Sequence, residues 1–241
     1  MSDLRFLLVH GSCHGAWCWD RVLPHLAPHA VRATDLPGHG ADPTPAAQVT
    51  LDLYARAILT AARDMGGPVV LVGHSMAGYP ITRAAEIDPT AIARLVYVCA
   101  YVPRSGMSLA DMRRAGPRQP LRQAIRLAPD GVTFTIDPGQ ARAVFYHDCS
   151  DADAAYAIPR LGPQPVLPQE TPMDVTDRSR GLPRHYIRCL DDRTIPPEYQ
   201  DTMTADWARG TVSTLPCGHS PFFACPGDLA ARLIAAARAA I

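Results

Sequence analysis

Lysine is absent from the chain: all 23 basic residues are arginine. Balanced by 23 Asp and Glu, they leave a formal net charge of zero, which excludes the basic field that nucleic acid or an anionic membrane surface would need. Together with the many Ala and Pro, the missing lysine reads as the codon bias of a GC-rich genome rather than as chemistry. Seven cysteines form an odd, scattered set without a C-x-x-C pair or zinc-like Cys/His spacing, so reduced thiols are expected and no disulfide framework. No run approaches the roughly 18 apolar residues of a membrane span. A strand-like run, Arg5 to Val9, starts so early that the charged and apolar regions of a signal peptide have no room. The expectation is a soluble, cytoplasmic protein acting on a small neutral molecule, with no nucleic acid, no membrane and at most a second copy of itself, as a homodimer, for a partner.

What is present is enough apolar material for one large α/β domain, with 47% hydrophobic residues in 241. Strand-like runs at 5–10, 30–35, 69–73, 94–100, 184–190 and 211–215 alternate with helical patterns from Trp19 to Ala27, Leu51 to Met65, Met76 to Ile87 and Gly227 to Ile241. That order predicts a mostly parallel central sheet with helices on both faces. Between Pro103 and Pro183 the pattern weakens, proline is frequent and only Val132 to Ile136 is β-like. A structureless loop of that length does not fit a compact domain. The segment is therefore read as a small, mainly helical cap, with helices near Leu109–Arg114, Gln140–Phe145 and Asp151–Ile158. The expected organisation is a single domain over 1–241, with a core of 1–103 and 184–241 and a cap of about 104–183.

The chemistry centres on Pro68 to Tyr79, where a β-branched run enters Gly73-His74-Ser75-Met76-Ala77-Gly78 and an Ala-rich helical pattern follows. Strand, sharp turn and helix lift a serine hydroxyl above the carboxyl end of a sheet, at the cost of a strained backbone that wants small neighbours. Ala77 stands where a G-x-S-x-G motif has its second glycine; one added methyl should be tolerated. Ser75 is the candidate nucleophile. The Gly-containing loop His10-Gly11-Ser12-Cys13-His14-Gly15 after the first strand can lend a backbone N–H to a developing oxyanion, so Ser12 and Met76 are the candidate oxyanion-hole amides. His10 and His14 are not a metal pair, because a strand-to-loop stretch does not put i and i+4 on one face and no carboxylate is near. Asp35 and His39, in Asp35-Leu36-Pro37-Gly38-His39-Gly40, are read as loop-shaping residues. Past the cap, Asp191 and Asp192 follow an apolar strand, where a carboxylate can orient an imidazole. His219, in the Gly- and Pro-bounded loop Cys217-Gly218-His219-Ser220-Pro221, can reach the serine as general base and then acid.

The strings LLVHGSCHGAWCW, DLPGHG, LVGHSMAGY, YIRCLDDRTIPPEYQ and GHSPFF resemble the α/β-hydrolase superfamily. More closely, they resemble the branch that holds plant methylesterases, hydroxynitrile lyases and bacterial esterase-like proteins. The resemblance runs from Phe6 to about Pro226, thinly through the cap. It implies the α/β-hydrolase fold and the chain order Ser75, Asp192, His219 for a triad, with Asp192 chosen over Asp191 by the D-x-x-I-P run. It implies ester hydrolysis too, since the lyases carry Thr at the position of Gly11 and Lys directly after the catalytic histidine, where this chain has Ser220. No metal and no organic cofactor is called for. Gly11, Trp17, Tyr79, Tyr101, Phe145 and Phe222, with Tyr146 and Phe223, are the expected substrate pocket, suited to a small or aromatic ester. The same triad also serves non-hydrolytic lyases, dehydratases or cyclases, and the fold serves some hormone receptors.

Overall fold

Parallel strands covered on both faces need nearly unbroken apolar runs, and the chain supplies them most clearly at Arg5–Val9, Val69–His74 and Ile92–Val98. The computed structural model describes residues 4–239. Its strands are β1 (Arg5–Val9), β2 (Ala30–Thr34), β3 (Val69–His74), β4 (Ile92–Val98), β5 (Ile125–Leu127), β6 (Thr133–Ile136), β7 (Gln164–Pro165), β8 (Arg184–Cys189) and β9 (Val212–Leu215). Its helices are α1 (Leu51–Asp64), α2 (Gly78–Ile87), α3 (Leu109–Ala115), α4 (Pro138–Phe145), α5 (Asp151–Ala157), α6 (Leu167–Glu170), α7 (Asp177–Arg180), α8 (Pro197–Met203), α9 (Pro221–Ala224) and α10 (Pro226–Arg238).

Six strands form one parallel sheet in the order β2-β1-β3-β4-β8-β9. Alternate residues of each strand point to opposite faces. Phe6, Leu8, Val70, Val72 and Val96 accordingly pack with Leu229 and Leu233 of α10. Leu7, Val9, Leu71 and Leu95 pack with Tyr54 and Ile58 of α1 and Ile81 of α2. The parallel sheet and its two helical layers are those expected from the sequence.

β1 leads outward to β2, whereas β3 leads the other way to β4. The connections after β1 and β3 therefore diverge at the carboxyl ends of these neighbours, the topological switch point at which ligands usually bind in an open α/β sheet. Between β4 and β8 lie α3 to α7 and a three-stranded antiparallel sheet, β5-β6-β7. Of these strands only β6 coincides with the run read from the sequence. β5 carries a central Arg126 and β7 is only two residues, Gln164 and Pro165, so neither has a strand's signature.

The helix expected at Trp19–Ala27 is instead two short 3-10 turns, Ala16–Trp19 and Leu23–Leu26. Trp19, Val22 and Leu26 are buried at helical spacing, but Pro24 lacks the N–H that would continue an α-helix. The last two residues of the Gly227–Ile241 expectation lie outside the described residues. Among the described residues, no helix is long and apolar enough to cross a membrane.

Candidate active site

Ser75 caps β3 with φ of 57°, a left-handed conformation that a non-glycine residue adopts only when its surroundings enforce it. The enforcement is visible: the Tyr101 amide donates to the Ser75 carbonyl at 3.1 Å. A Cβ at Gly78 would lie 1.9 Å from the Tyr101 carbonyl oxygen, so only glycine lets α2 approach the segment after β4 this closely. Ala77, by contrast, sits at φ of −62° in ordinary helical backbone, which is why a methyl group is accommodated there. Cys13 and Cys99, with φ of 64° and 35°, are the other non-glycine residues of positive φ among those described. All three lie just beyond strands β1, β3 and β4, so backbone strain of about 1–3 kcal/mol per residue is gathered at one end of the sheet.

Three side chains distant in sequence meet there. His219 Nε2 lies 3.0 Å from Ser75 Oγ, and His219 Nδ1 lies 2.8 Å from Asp192 Oδ2. Asp192 is 3% exposed and His219 1%. The backbone amides of Thr194 and Ile195 donate to Asp192 Oδ1 at 2.7 and 2.9 Å, and Gln200 Nε2 donates to Oδ2 at 3.0 Å. With His219 Nδ1–H, that makes four donors on two oxygens, an arrangement suited to a carboxylate that only accepts. Asp191 points elsewhere: it is exposed and pairs with His147 at 2.9 Å. His74 Nε2–H donates to the His219 carbonyl at 2.8 Å, and Phe145 stacks on the His219 ring at 5.7 Å. Burial, then the neighbouring His219, keeps the His74 pKa well below 6.5, so this imidazole is a neutral strut.

The loop after β1 is held from several sides. The His14 Nδ1–H donates to the Ser12 carbonyl at 2.8 Å, and the Tyr146 hydroxyl donates to His14 Nε2 at 2.8 Å. Burial lowers the His14 pKa to about 4, which keeps the ring neutral and its acceptor nitrogen available. The Cys13 amide donates to Gln164 Oε1 at 3.2 Å, the Gly162 amide donates to the Cys13 carbonyl at 2.8 Å, and Gln169 Nε2 donates to Ser12 Oγ at 2.8 Å. Tyr146, Gly162, Gln164 and Gln169 all belong to the segment between β4 and β8. His10 is a structural residue, with Nδ1 on the Gly11 carbonyl and Nε2 accepting from the Leu36 amide. Asp35 shapes its loop by accepting from the Ala16 and Ala41 amides, and His39 bonds Gln164 at 3.1 Å.

The serine, histidine and aspartate thus meet beyond the carboxyl ends of parallel strands in a sheet of order β2-β1-β3-β4-β8-β9. The profile described as "Alpha/beta hydrolase family" matches residues 6–232. The chain belongs to the alpha/beta hydrolase family. It is 32% identical to Esterase PIR7B of Oryza sativa subsp. japonica over 85% of this chain and 84% of that protein. It is 29% identical to Methylesterase 17 of Arabidopsis thaliana, over 97% of this chain and 91% of that one. Among solved structures, a pyrethroid hydrolase from Sphingobium faniae superimposes with a TM-score of 0.87 at 26% identity, covering 99% of this chain and 98% of its own.

In this alpha/beta hydrolase, the aromatic residues singled out in the sequence are dispersed. Phe145 lies against His219 and Tyr101 is joined to Ser75 through its amide. Trp17 is partly exposed and stacks on His14 at 5.3 Å. Phe222 is fully buried against His74, Tyr79 is 1% exposed on the opposite side of the sheet, and both belong to the core. Gly11 is needed as glycine, since a Cβ there would lie 2.8 Å from Ser75 Cβ. A cavity of about 590 Å³ lies elsewhere, lined by Arg104, Arg184 and Trp207 among others, and does not touch Ser75. His74, Cys99 and His219 bring potential metal-binding atoms within 4.8 Å of one another. Both His219 nitrogens are engaged by Ser75 and Asp192 and the Cys99 thiol faces the His219 carbonyl at 3.6 Å, so the cluster is a hydrogen-bonded support. Sequence reasoning missed Gln164, Gln169 and Gln200; no motif marks the first two, and Gln200 closes the string YIRCLDDRTIPPEYQ without a role having been read for it.

Proposed function

We propose that the protein is a serine carboxylesterase that cleaves a small or aromatic hydrophobic ester through Ser75, His219 and Asp192. The observation that carries this reading is the continuous line Ser75 Oγ, His219 Nε2, His219 Nδ1, Asp192 Oδ2, with steps of 3.0 and 2.8 Å across the ring. Relatives named as esterase and methylesterase support ester cleavage as the reaction class. Gly11 supports hydrolysis over the lyase chemistry that a threonine would serve there.

In the proposed reaction His219 takes the Ser75 proton as the oxygen attacks the ester carbonyl, and Asp192 holds the Nδ1–H tautomer that leaves Nε2 free to accept it. The Ser12 and Met76 amides receive the carbonyl oxygen as it becomes anionic. The imidazolium then protonates the departing alcohol, leaving an acyl-Ser75 that water hydrolyses by the same proton path in reverse. Incubation with p-nitrophenyl acetate and butyrate, together with fluorophosphonate labelling and mapping of the modified peptide, tests the reading. Turnover and a label on Ser75 are expected; a pure, folded protein silent on both esters, or a label on another residue, would end it.

A further inference from the structure

Gln169 Nε2 lies 2.8 Å from Ser12 Oγ and 3.4 Å from Met76 Sδ. Because a thioether sulfur only accepts, it is the NH₂ end of the amide that faces both side chains. The side chains of the two residues assigned to the oxyanion hole thus converge on one glutamine, which is 4% exposed and comes from α6. A serine hydroxyl has one proton to give and two lone pairs. Here one lone pair is taken by Gln169, and among the described residues no acceptor receives the proton. The Ser12 peptide cannot turn to find one, since its carbonyl is held by His14 and the following amide by Gln164. Ser12 is nonetheless only partly buried, next to Gly11, whose own Cβ position is in contact with Ser75.

We propose that the Ser12 hydroxyl is a third hydrogen-bond donor to the ester oxygen as it becomes an oxyanion, aimed by Gln169 as a positioning residue. This rests on Ser75 being the nucleophile. The ligand is the carbonyl oxygen of an ester in its tetrahedral state, and no bond beyond the hydrogen bond forms or breaks at Ser12. Donors of this kind lower the barrier without tightening the ground state, so the effect falls on kcat.

The test compares S12A, S12T, Q169L and Q169E with the parent, by kcat and KM on p-nitrophenyl acetate and by the rate of Ser75 labelling with a fluorophosphonate, whose phosphoryl oxygen occupies the same hole. S12A is expected to lower kcat and the labelling rate by about 10²-fold with KM within about twofold, and S12T to restore most of the loss. Q169L should lose less, because the hydroxyl remains but is no longer aimed, and S12A/Q169L should be no slower than S12A, as for residues acting as one unit. Q169E should match S12A, since a carboxylate there accepts the Ser12 proton and turns it from the ester. S12A labelled and turned over at the parent's rate, S12T as slow as S12A, or a loss confined to KM would overturn the proposal while Ser75 remained the nucleophile. A parent whose Ser75 is not labelled would overturn both.

Discussion

Gln200 Nε2 and His219 Nδ1 share one acceptor, Asp192 Oδ2, at 3.0 and 2.8 Å. Gln200 is fully buried, and its Oε1 accepts from the Cys189 amide at 3.2 Å, which fastens the end of β8 to the carboxylate just beyond it. Gln200→Leu would leave that amide and one carboxylate lone pair unpaired in the interior, at roughly 1–3 kcal/mol for each buried group. The expected outcome is a lower urea midpoint and a lower kcat with KM little changed, measured by denaturation and by p-nitrophenyl ester kinetics.

Ser75 and Asp192 should be far more sensitive than their neighbours. Ser75→Ala is expected to cost on the order of 10⁶ in kcat and Asp192→Asn about 10⁴, through the wrong imidazole tautomer. Asp191→Asn should stay within about twofold, because that side chain is exposed and turned toward His147. A steady-state comparison of the three variants, with Asp191→Asn as slow as Asp192→Asn, would refute the choice between the two aspartates.

The turn around Ser75 makes an asymmetric demand on small residues. Gly78→Ala would place a carbon 1.9 Å from the Tyr101 carbonyl oxygen, and a backbone neighbour cannot move aside cheaply. A loss near 3 kcal/mol, at the upper end of usual overpacking costs, is expected from thermal or urea unfolding. Ala77→Gly, which restores the five-residue G-x-S-x-G string, should gain nothing and cost up to about 1 kcal/mol through helix propensity.

Position 11 offers a separate test. Its Cβ would meet Ser75 Cβ and His74 Nδ1, each at 2.8 Å, so Gly11→Thr should displace the hydroxyl from His219. Ester turnover is expected to fall at least tenfold, roughly 1.4 kcal/mol, and a variant with parental kcat would show that the two loops are not in close contact in solution.

Acid should unfold the protein through its interior histidines. Burial, the leading cause in each case, lowers His14 to about 4 and holds His10 and His74 well below 6.5. An unfolded chain takes up these protons near pH 6.5, whereas the folded one accepts that of His14 only near pH 4 and those of His10 and His74 only well below 6.5. Stability is therefore whole above about pH 6.5 and declines as pH falls below it, by about 1.4 kcal/mol per pH unit for each such histidine. Urea midpoints from pH 8 to 4.5 should be level above 7 and fall steeply below 6.5. His14→Gln should make the acid limb shallower, and an unchanged limb would refute its part.

Ser75, Asp192 and His219 were legible because each stands at a strand's end among residues that only a sharp turn requires: Gly73 and Gly78, the Asp-Asp-Arg-Thr-Ile-Pro run, and Gly218 with Pro221. The buried strands were legible as unbroken apolar runs. Gln164 and Gln169 were not, since their importance lies in what they touch across 151 and 157 positions, and a glutamine in a short helix or strand looks like any solvated one; Gln200, whose partners Asp192 and Cys189 lie 8 and 11 positions away, closed a recognised string, but nothing in the string says which way its amide turns. The 3-10 turns near Trp19 were hidden for a related reason: burial imposes helical spacing on apolar residues whether or not proline permits the helix.

The Cys13 peptide is gripped through both its amide and its carbonyl by the segment between β4 and β8. Transplanting a relative's lid onto this core to change substrate range would also cut those two anchors. Such chimeras should lose turnover before they acquire a new preference, unless the graft keeps Gly162 and Gln164 or brings equivalents that reach position 13.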